Sequence, residues 1–374
     1  MAAVGPHAHR TIGDPGQRYF GRDRPSHPSS GHEAMKRPKH ILLIRRDNIG
    51  DLVCTTPLFS ALRARYPDAY IAVLTNTYCA PVVAHNPHLD HVFVYAKAKH
   101  LPRAERPAAY WARVRLIQEL RRMQFDDVIL AAASYYARGL EFARWLPRSR
   151  VIGFVSEQGN KRGLDVALPR DAAPRHEVED LFQLLAPLDI HGAPPATTLI
   201  PEPTSAMRAH DIVRNALGGT QPIAIHISAR LPSNRWHLEG YVSLIRALTL
   251  RGHKILLLWS PGEPNDPMHP GDDALAGEIE KSVANPALFS LPTRELPTLI
   301  AALGACRGAI LSDGGAMHIA AALQKPLICF FGQSDTNRWR PWKCPHILLQ
   351  PSSRNVADLT VEEVLDAVGR QFQW

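Results

Sequence analysis

Short unbroken apolar runs alternate with helix-length amphipathic stretches from residue 40 to the C-terminus. Residues 40–45 (HILLIR) are apolar on both faces, the mark of a strand covered on both sides. Residues 51–66 follow, with Leu52, Leu58, Phe59 and Leu62 on one helical side. Further strands are expected at 70–74, 92–95, 127–130 and 151–153, with helices at 110–123 and 177–188. Strands separated by helices of this length pair in parallel, because each crossover returns the chain to the same edge.

Residues 190–203 interrupt the rhythm with four prolines (Pro194, Pro195, Pro201, Pro203) and read as an interdomain linker. The alternation then resumes. Strands are expected at 223–226, 254–259, 287–291, 308–312 and 327–331, and a last helix opens on the capping pair Thr360 and Glu363. The expected architecture is two tandem doubly wound α/β domains, 39–200 and 201–358, followed by a C-terminal helix in 359–374. Residues 1–38 hold five glycines and five prolines without apolar period, and read as a disordered leader. Ligands of such folds bind at the carboxyl ends of the strands, here in the cleft between the domains.

Composition excludes several classes. Hydrophobic residues make up 45% and charged residues 21%, near the globular average. No stretch approaches the roughly 18 apolar residues of a membrane span. The five cysteines are scattered without a CxxC pair, which favours a reducing compartment over disulfides or a zinc module. Net charge is +8, but residues 1–40 supply seven basic and three acidic residues, +4 of that total. The remainder is ordinary, so no nucleic-acid partner is expected. Neither a P-loop, a GxSxG, an HExxH nor a metal-ligand cluster occurs, and the first strand–helix turn has one glycine where a dinucleotide fingerprint needs three. No metal or organic cofactor is therefore expected.

Four loops following strands carry polar groups. Arg45-Arg46-Asp47-Asn48-Ile49-Gly50-Asp51 places Asp51 in a first helical turn, where it can serve as a cap or as a base for an attacking hydroxyl. Ser312-Asp313-Gly314-Gly315-Ala316-Met317-His318 offers backbone N–H groups at a helix start, suited to a diphosphate, although a plain tight turn with a packed His318 is equally open. His226 to Trp236 supplies Ser228, Arg230, Asn234 and Arg235, a phosphate-type loop or a solvated one anchored by Trp236. Phe331 to Trp339 reads as a polar turn.

Taken together, ILLIRRDNIGDLVCTTPLFSALRARYPDAYIAVLTN, HISARLPSNRWHLEGY and LSDGGAMHIAAALQKPLICFFGQSDTNRW resemble glycosyltransferase family 9, the heptosyltransferases of lipopolysaccharide. The resemblance implies a GT-B fold, with acceptor on the first domain and nucleotide-sugar on the second. It also implies inverting, metal-independent transfer of a heptose, with ADP-heptose as donor and a lipopolysaccharide core as acceptor. By that likeness Asp51 is the general base. Asp313, Gly314, Gly315, His318, Ser228, Arg230, Asn234, Arg235 and Glu263 bind the donor. Asn234 stands where the family usually has Lys, and Gly314 where Thr or Ser is common. A basic cluster including Arg113 and Arg115, beside Tyr110 and Trp111, is a candidate for a lipid-linked acceptor, at the cytoplasmic face of the inner membrane, with a solvated helix face as the alternative. Rival readings are a GT-B transferase or epimerase using another nucleotide-sugar, and a non-catalytic member that binds nucleotide or glycolipid.

Overall fold

A computed structural model describes residues 39–97, 102–170, 173–263 and 271–372. The expected leader, 1–38, lies outside the described residues. The first lobe contains β1 (His40–Ile44), α1 (Ile49–Arg65), β2 (Tyr70–Asn76), β3 (His91–Tyr95), α2 (Arg106–Met123), β4 (Asp127–Leu130), α3 (Ala137–Ala143), β5 (Arg150–Phe154), β6 (Val166–Leu168) and α4 (Glu177–Phe182). The second contains α5 (Pro203–Leu217), β7 (Ile223–His226), α6 (Leu238–Leu250), β8 (Ile255–Trp259), α7 (Asp273–Val283), β9 (Leu288–Pro292), α8 (Leu296–Ala305) and β10 (Gly308–Ser312). It ends with α9 (Gly315–Ala322), β11 (Leu327–Phe330), α10 (Thr336–Trp339), β12 (His346–Leu349) and α11 (Val361–Phe372).

Both sheets are parallel and share one topology. The first runs β3-β2-β1-β4-β5-β6 and the second, read from its far edge, β9-β8-β7-β10-β11-β12. In each the order reverses beside the first strand, between β1 and β4 and between β7 and β10. The loops leaving those strands border the binding crevice. The two tandem doubly wound domains read from the sequence are thus present. Two short edge strands, β6 and β12, were not expected. Each pairs on one side only and is partly exposed along its length, so neither carries the buried signature of the inner strands.

Strand alternation explains how the lobes join. Ile41 and Leu43 of β1 point to one face, Leu42 and Ile44 to the other, and all four are fully buried. The outer faces build a separate core in each lobe. The inner faces, with α1, α4, α5, α8 and α9, merge into one core that runs through both lobes, from Ile41 and Phe59 to Leu256 and Met317. The linker is tied to both sides as well. The Thr198 N–H donates to Thr56 Oγ1 of α1, while Trp342 Nε1 and Lys343 Nζ donate to the carbonyls of Pro195 and Pro194.

Helix α1 tolerates an internal proline for a visible reason. Pro57 has no N–H for the Val53 carbonyl, one turn earlier. The neighbouring Thr56 hydroxyl donates to that carbonyl at 2.8 Å instead. The same oxygen accepts the Thr198 N–H, so the Thr-Pro pair both mends the helix and holds the linker.

Candidate active site

The site grows from the end of β1. Arg45 follows four fully buried strand residues and its side chain is 4% exposed. A charge in that position must be paired. Its Nη2 lies 2.7 Å from Asp51 Oδ1 and 3.0 Å from Glu177 Oε1, Nη1 donates to the Ala131 carbonyl at the end of β4, and Nε lies 3.4 Å from Asp47 Oδ2. Burial disfavours the guanidinium charge, but Asp51, Glu177 and Asp47 outweigh it and hold Arg45 firmly protonated.

Asp51 is the third residue of α1. Its Oδ2 accepts the Asn48 N–H at 3.0 Å and Asn48 Nδ2 at 3.1 Å, while Oδ1 faces Arg45. Asp51 therefore closes the helix start, the capping role read from the sequence, while its other oxygen is held by Arg45. Burial pushes its pKa up, yet Arg45, the Asn48 N–H and the more distant His318 bring it below the usual carboxylate range. The group is ionised at neutral pH.

The start of α9 meets the start of α1 directly. A Cβ on Gly50 would fall 2.6 Å from His318 Cδ2, and one on Gly315 would fall 3.2 Å from Ile49 Cβ. Two glycines, one per lobe, are what let the helix termini approach. His318 is turned into this seam, with Nδ1 3.8 Å from Cys54 Sγ and its ring edge-on to Trp339 at 6.0 Å. Burial depresses its pKa to about 4, so the ring is neutral. His318 thus takes the packed position that the sequence left open beside donor contact, and its ring fills the space above Gly50. Gly314, by contrast, is exposed and opens the first turn of α9 with φ 155° and ψ −170°, a conformation open mainly to glycine. The first-turn N–H groups beyond it have no partners within the helix.

The remaining donor candidates fall into two sets. Asp313 and Ser228 border the crevice at the ends of β10 and β7. Burial raises the Asp313 carboxyl against the opposing effect of hydrogen bonds from Ser334 and Asn234, and Ser228 Oγ accepts the Ser260 N–H at 2.9 Å. Arg230 is exposed and has no hydrogen bond or ion pair among the described residues. Glu263 is exposed in the turn after β8 and is not brought near Asp51 by any described contact. Arg235 pairs its guanidinium with buried Asp272 at 2.5 Å. Asn234 is turned inward. It is 1% exposed, takes the Gly332 N–H on Oδ1 at 2.9 Å, reaches the Asp313 carbonyl with Nδ2 at 3.3 Å, and its own carbonyl accepts Ser312 Oγ at 2.6 Å. It brackets the loops after β7, β10 and β11.

In the first lobe, α2 buries only Leu116 and Leu120 and turns Tyr110, Trp111 and Val114 outward. Arg113 lies over the Phe142 ring and 3.4 Å from Glu141, which also binds Arg46 of the β1–α1 turn. Arg115 is exposed and unpaired among the described residues. Both lobes also enclose a pocket of about 600 Å³ lined by Ser134, Glu157, Arg170 and Arg175 from the first and Asp335 and Arg338 from the second. Sequence reasoning missed Arg45, Glu177, Arg338 and this pocket. The available signal was a charged residue continuing an apolar strand, which must find buried partners. Among the described residues, no helix is long and apolar enough to cross a membrane.

Two lobes of one Rossmann-like topology, joined through their inner faces with the start of α1 packed on the start of α9, form the GT-B architecture. The profile of glycosyltransferase family 9 (heptosyltransferase) matches residues 113–364, and the chain belongs to that family. Its relatives include lipopolysaccharide heptosyltransferase 3 of Escherichia coli, 27% identical over 298 residues that span 78% of this chain and 83% of the relative. A family 9 glycosyl transferase of Veillonella parvula superposes with a TM-score of 0.76 at 18% identity, covering 91% of this chain and 99% of that one. The Escherichia coli ADP-heptose lipopolysaccharide heptosyltransferase II superposes with a TM-score of 0.71 at 20% identity, covering 89% and 98%.

Proposed function

We propose that this transferase moves a heptose from a nucleoside-diphosphate donor, ADP-heptose, to a lipopolysaccharide core acceptor, with inversion and without a metal or organic cofactor. Asp51 takes the proton of the acceptor hydroxyl as its oxygen attacks the anomeric carbon. The bond from that carbon to the diphosphate breaks, and the charge growing on the phosphate is met by the first-turn N–H groups of α9 and by Arg230. Asp313 and Ser228 border the donor from the loops beside that turn.

The observation that carries this reading is Asp51 itself, kept ionised by Arg45 on the helix whose start packs against the glycine turn of the other lobe. An ionised carboxylate is the form that accepts a proton. Asp51→Asn removes that capacity at nearly constant shape. Transfer from ADP-heptose to a truncated lipopolysaccharide core, followed by mass detection, is expected to fall by at least about 10²-fold, a typical general-base contribution. ADP binding by calorimetry is expected to stay within about twofold. Full turnover in this variant excludes Asp51 as the base, and turnover with UDP- or GDP-sugars in preference to ADP-heptose excludes the donor.

The acceptor approaches from the first lobe, with Arg113 and Arg115 of α2 facing its anionic groups. The protein works at the cytoplasmic face of the inner membrane, where such lipid-linked acceptors are presented. Outward aromatic residues beside arginines support this, since that pairing suits an anionic interface.

A further inference from the structure

Five charged side chains stand in a row with alternating sign: Asp51, Arg45, Glu177, Arg338, Asp180. The first three meet as described above. Glu177 is 2% exposed and divides its carboxylate between the lobes: Oε1 takes Arg45 of the first, Oε2 takes Arg338 of the second. Arg338 comes from α10, in the loop region after β11, and lies 3.4 Å from Asp180 Oδ2 and over the Trp339 ring. The start of α4 is docked on the same second-lobe segment by another route. His176, its cap, contacts the Arg340 carbonyl through Nε2 at 2.7 Å and lies against the Trp342 ring at 4.6 Å.

A single nitrogen, Arg45 Nη2, serves both Asp51 and Glu177. How strongly it serves one depends on how well the other is satisfied. Glu177 is satisfied by a group that belongs to the opposite lobe. We propose that Glu177 and Arg338 are positioning residues for the transfer: the second-lobe guanidinium, acting through Glu177, fixes how Arg45 holds the reacting carboxylate. The proposal rests on Asp51 as the base.

The direction of each perturbation follows from charge. Without Arg338, Glu177 is matched by Arg45 alone. The added negative charge draws Arg45 away from Asp51 and disfavours its ionised form, so a higher pH is needed to ionise it. Without the Glu177 charge, Arg45 serves Asp51 alone, with Arg338 unopposed beside it. The ionised form is favoured, and the base is weaker. The other groups facing this row are unchanged by either substitution. Asp47 lies by Arg45 from the same turn, and Asn48 caps the helix. Tyr136 from the β4 loop and Cys54 from α1 are both raised by burial and uncharged, and His318 from α9 is neutral.

The test compares Glu177→Gln and Arg338→Gln with the native enzyme, using ADP-heptose and a truncated core acceptor across pH 2.5–9, each assay started by a brief jump from pH 7 so that the folded protein is read. We expect kcat to fall about tenfold or more in each, with ADP affinity within about twofold. The acid limb of the kcat profile should move up by about half a pH unit or more in Arg338→Gln and down in Glu177→Gln, within the range a neighbouring charge produces. A structural role alone would lower thermal stability without opposed shifts. Limbs that coincide with the native profile, or move the same way, overturn the proposal. If Glu177→Gln does not fold, the pair Arg338→Gln and Arg338→Lys decides: the lysine variant should return the limb towards native, and an equal limb in both overturns it. Asp51→Asn separates the underlying reading. Activity in that variant removes the base, whereas an inactive Asp51→Asn with unshifted limbs removes only the role of Glu177 and Arg338.

Discussion

Gly50 is small because His318 from the other lobe occupies the place a side chain would take. A methyl group there would sit 2.6 Å from the imidazole, far inside contact distance, and the ring cannot retreat from a seam this closely packed. Gly50→Ala is therefore expected to lower stability by about 1–3 kcal/mol, the usual cost of overpacking, read as a lower urea midpoint. Unchanged stability would mean that the seam gives way easily. The neighbouring residues show what a sequence conveys at this level. Asp51 stands out in the sequence because it opens a helix after the first strand. Its partner Arg45 was not, since the pairing with Glu177 joins positions 132 residues apart and leaves no local spacing. Asn234 and His318 belong to recognisable loops, yet nothing in the loops tells whether a polar side chain turns toward a ligand or into the protein.

Helix α2 carries its largest side chains on the side away from the core, the reverse of an ordinary surface helix. Residues such as Trp111 and Tyr110 gain nothing from that position in water, whereas an amphipathic acceptor with anionic groups would cover them. Charge reversal at Arg113 and Arg115 is expected to raise the acceptor KM by about tenfold, the order of a lost charge-assisted contact or two, while the ADP-heptose KM stays unchanged. An unchanged acceptor KM would leave α2 a solvated face. The ten expected strands appear with ends within two residues of the sequence reading, because each is an apolar run between breakers, even β9 at a partly exposed edge. The strands that escaped, β6 and β12, lie at sheet edges, where one neighbour and partial exposure dilute the apolar signal. The capping pair of the last helix is present as read, with the Thr360 N–H donating to Glu363 Oε2 at 2.8 Å.

Across the whole molecule, the contact between lobes carries two histidines that must stay neutral. Burial holds both His318 and His176 at about 4, against 6.5 for a free imidazole. Because the unfolded chain binds these protons first, stability is complete above pH 6.5 and is lost as pH falls toward 4, by on the order of 3 kcal/mol for each group at most. Urea midpoints measured at intervals from pH 7.5 to 4.5 should begin to fall before the carboxylates titrate, and a level profile down to pH 5.5 would contradict this. The shared inner core has a consequence for engineering. Chimeras that exchange a complete donor half for that of another transferase would bring together two greasy walls shaped for different mates. Grafting only the turns at the strand ends leaves that wall untouched, and is the sounder route to a new sugar preference.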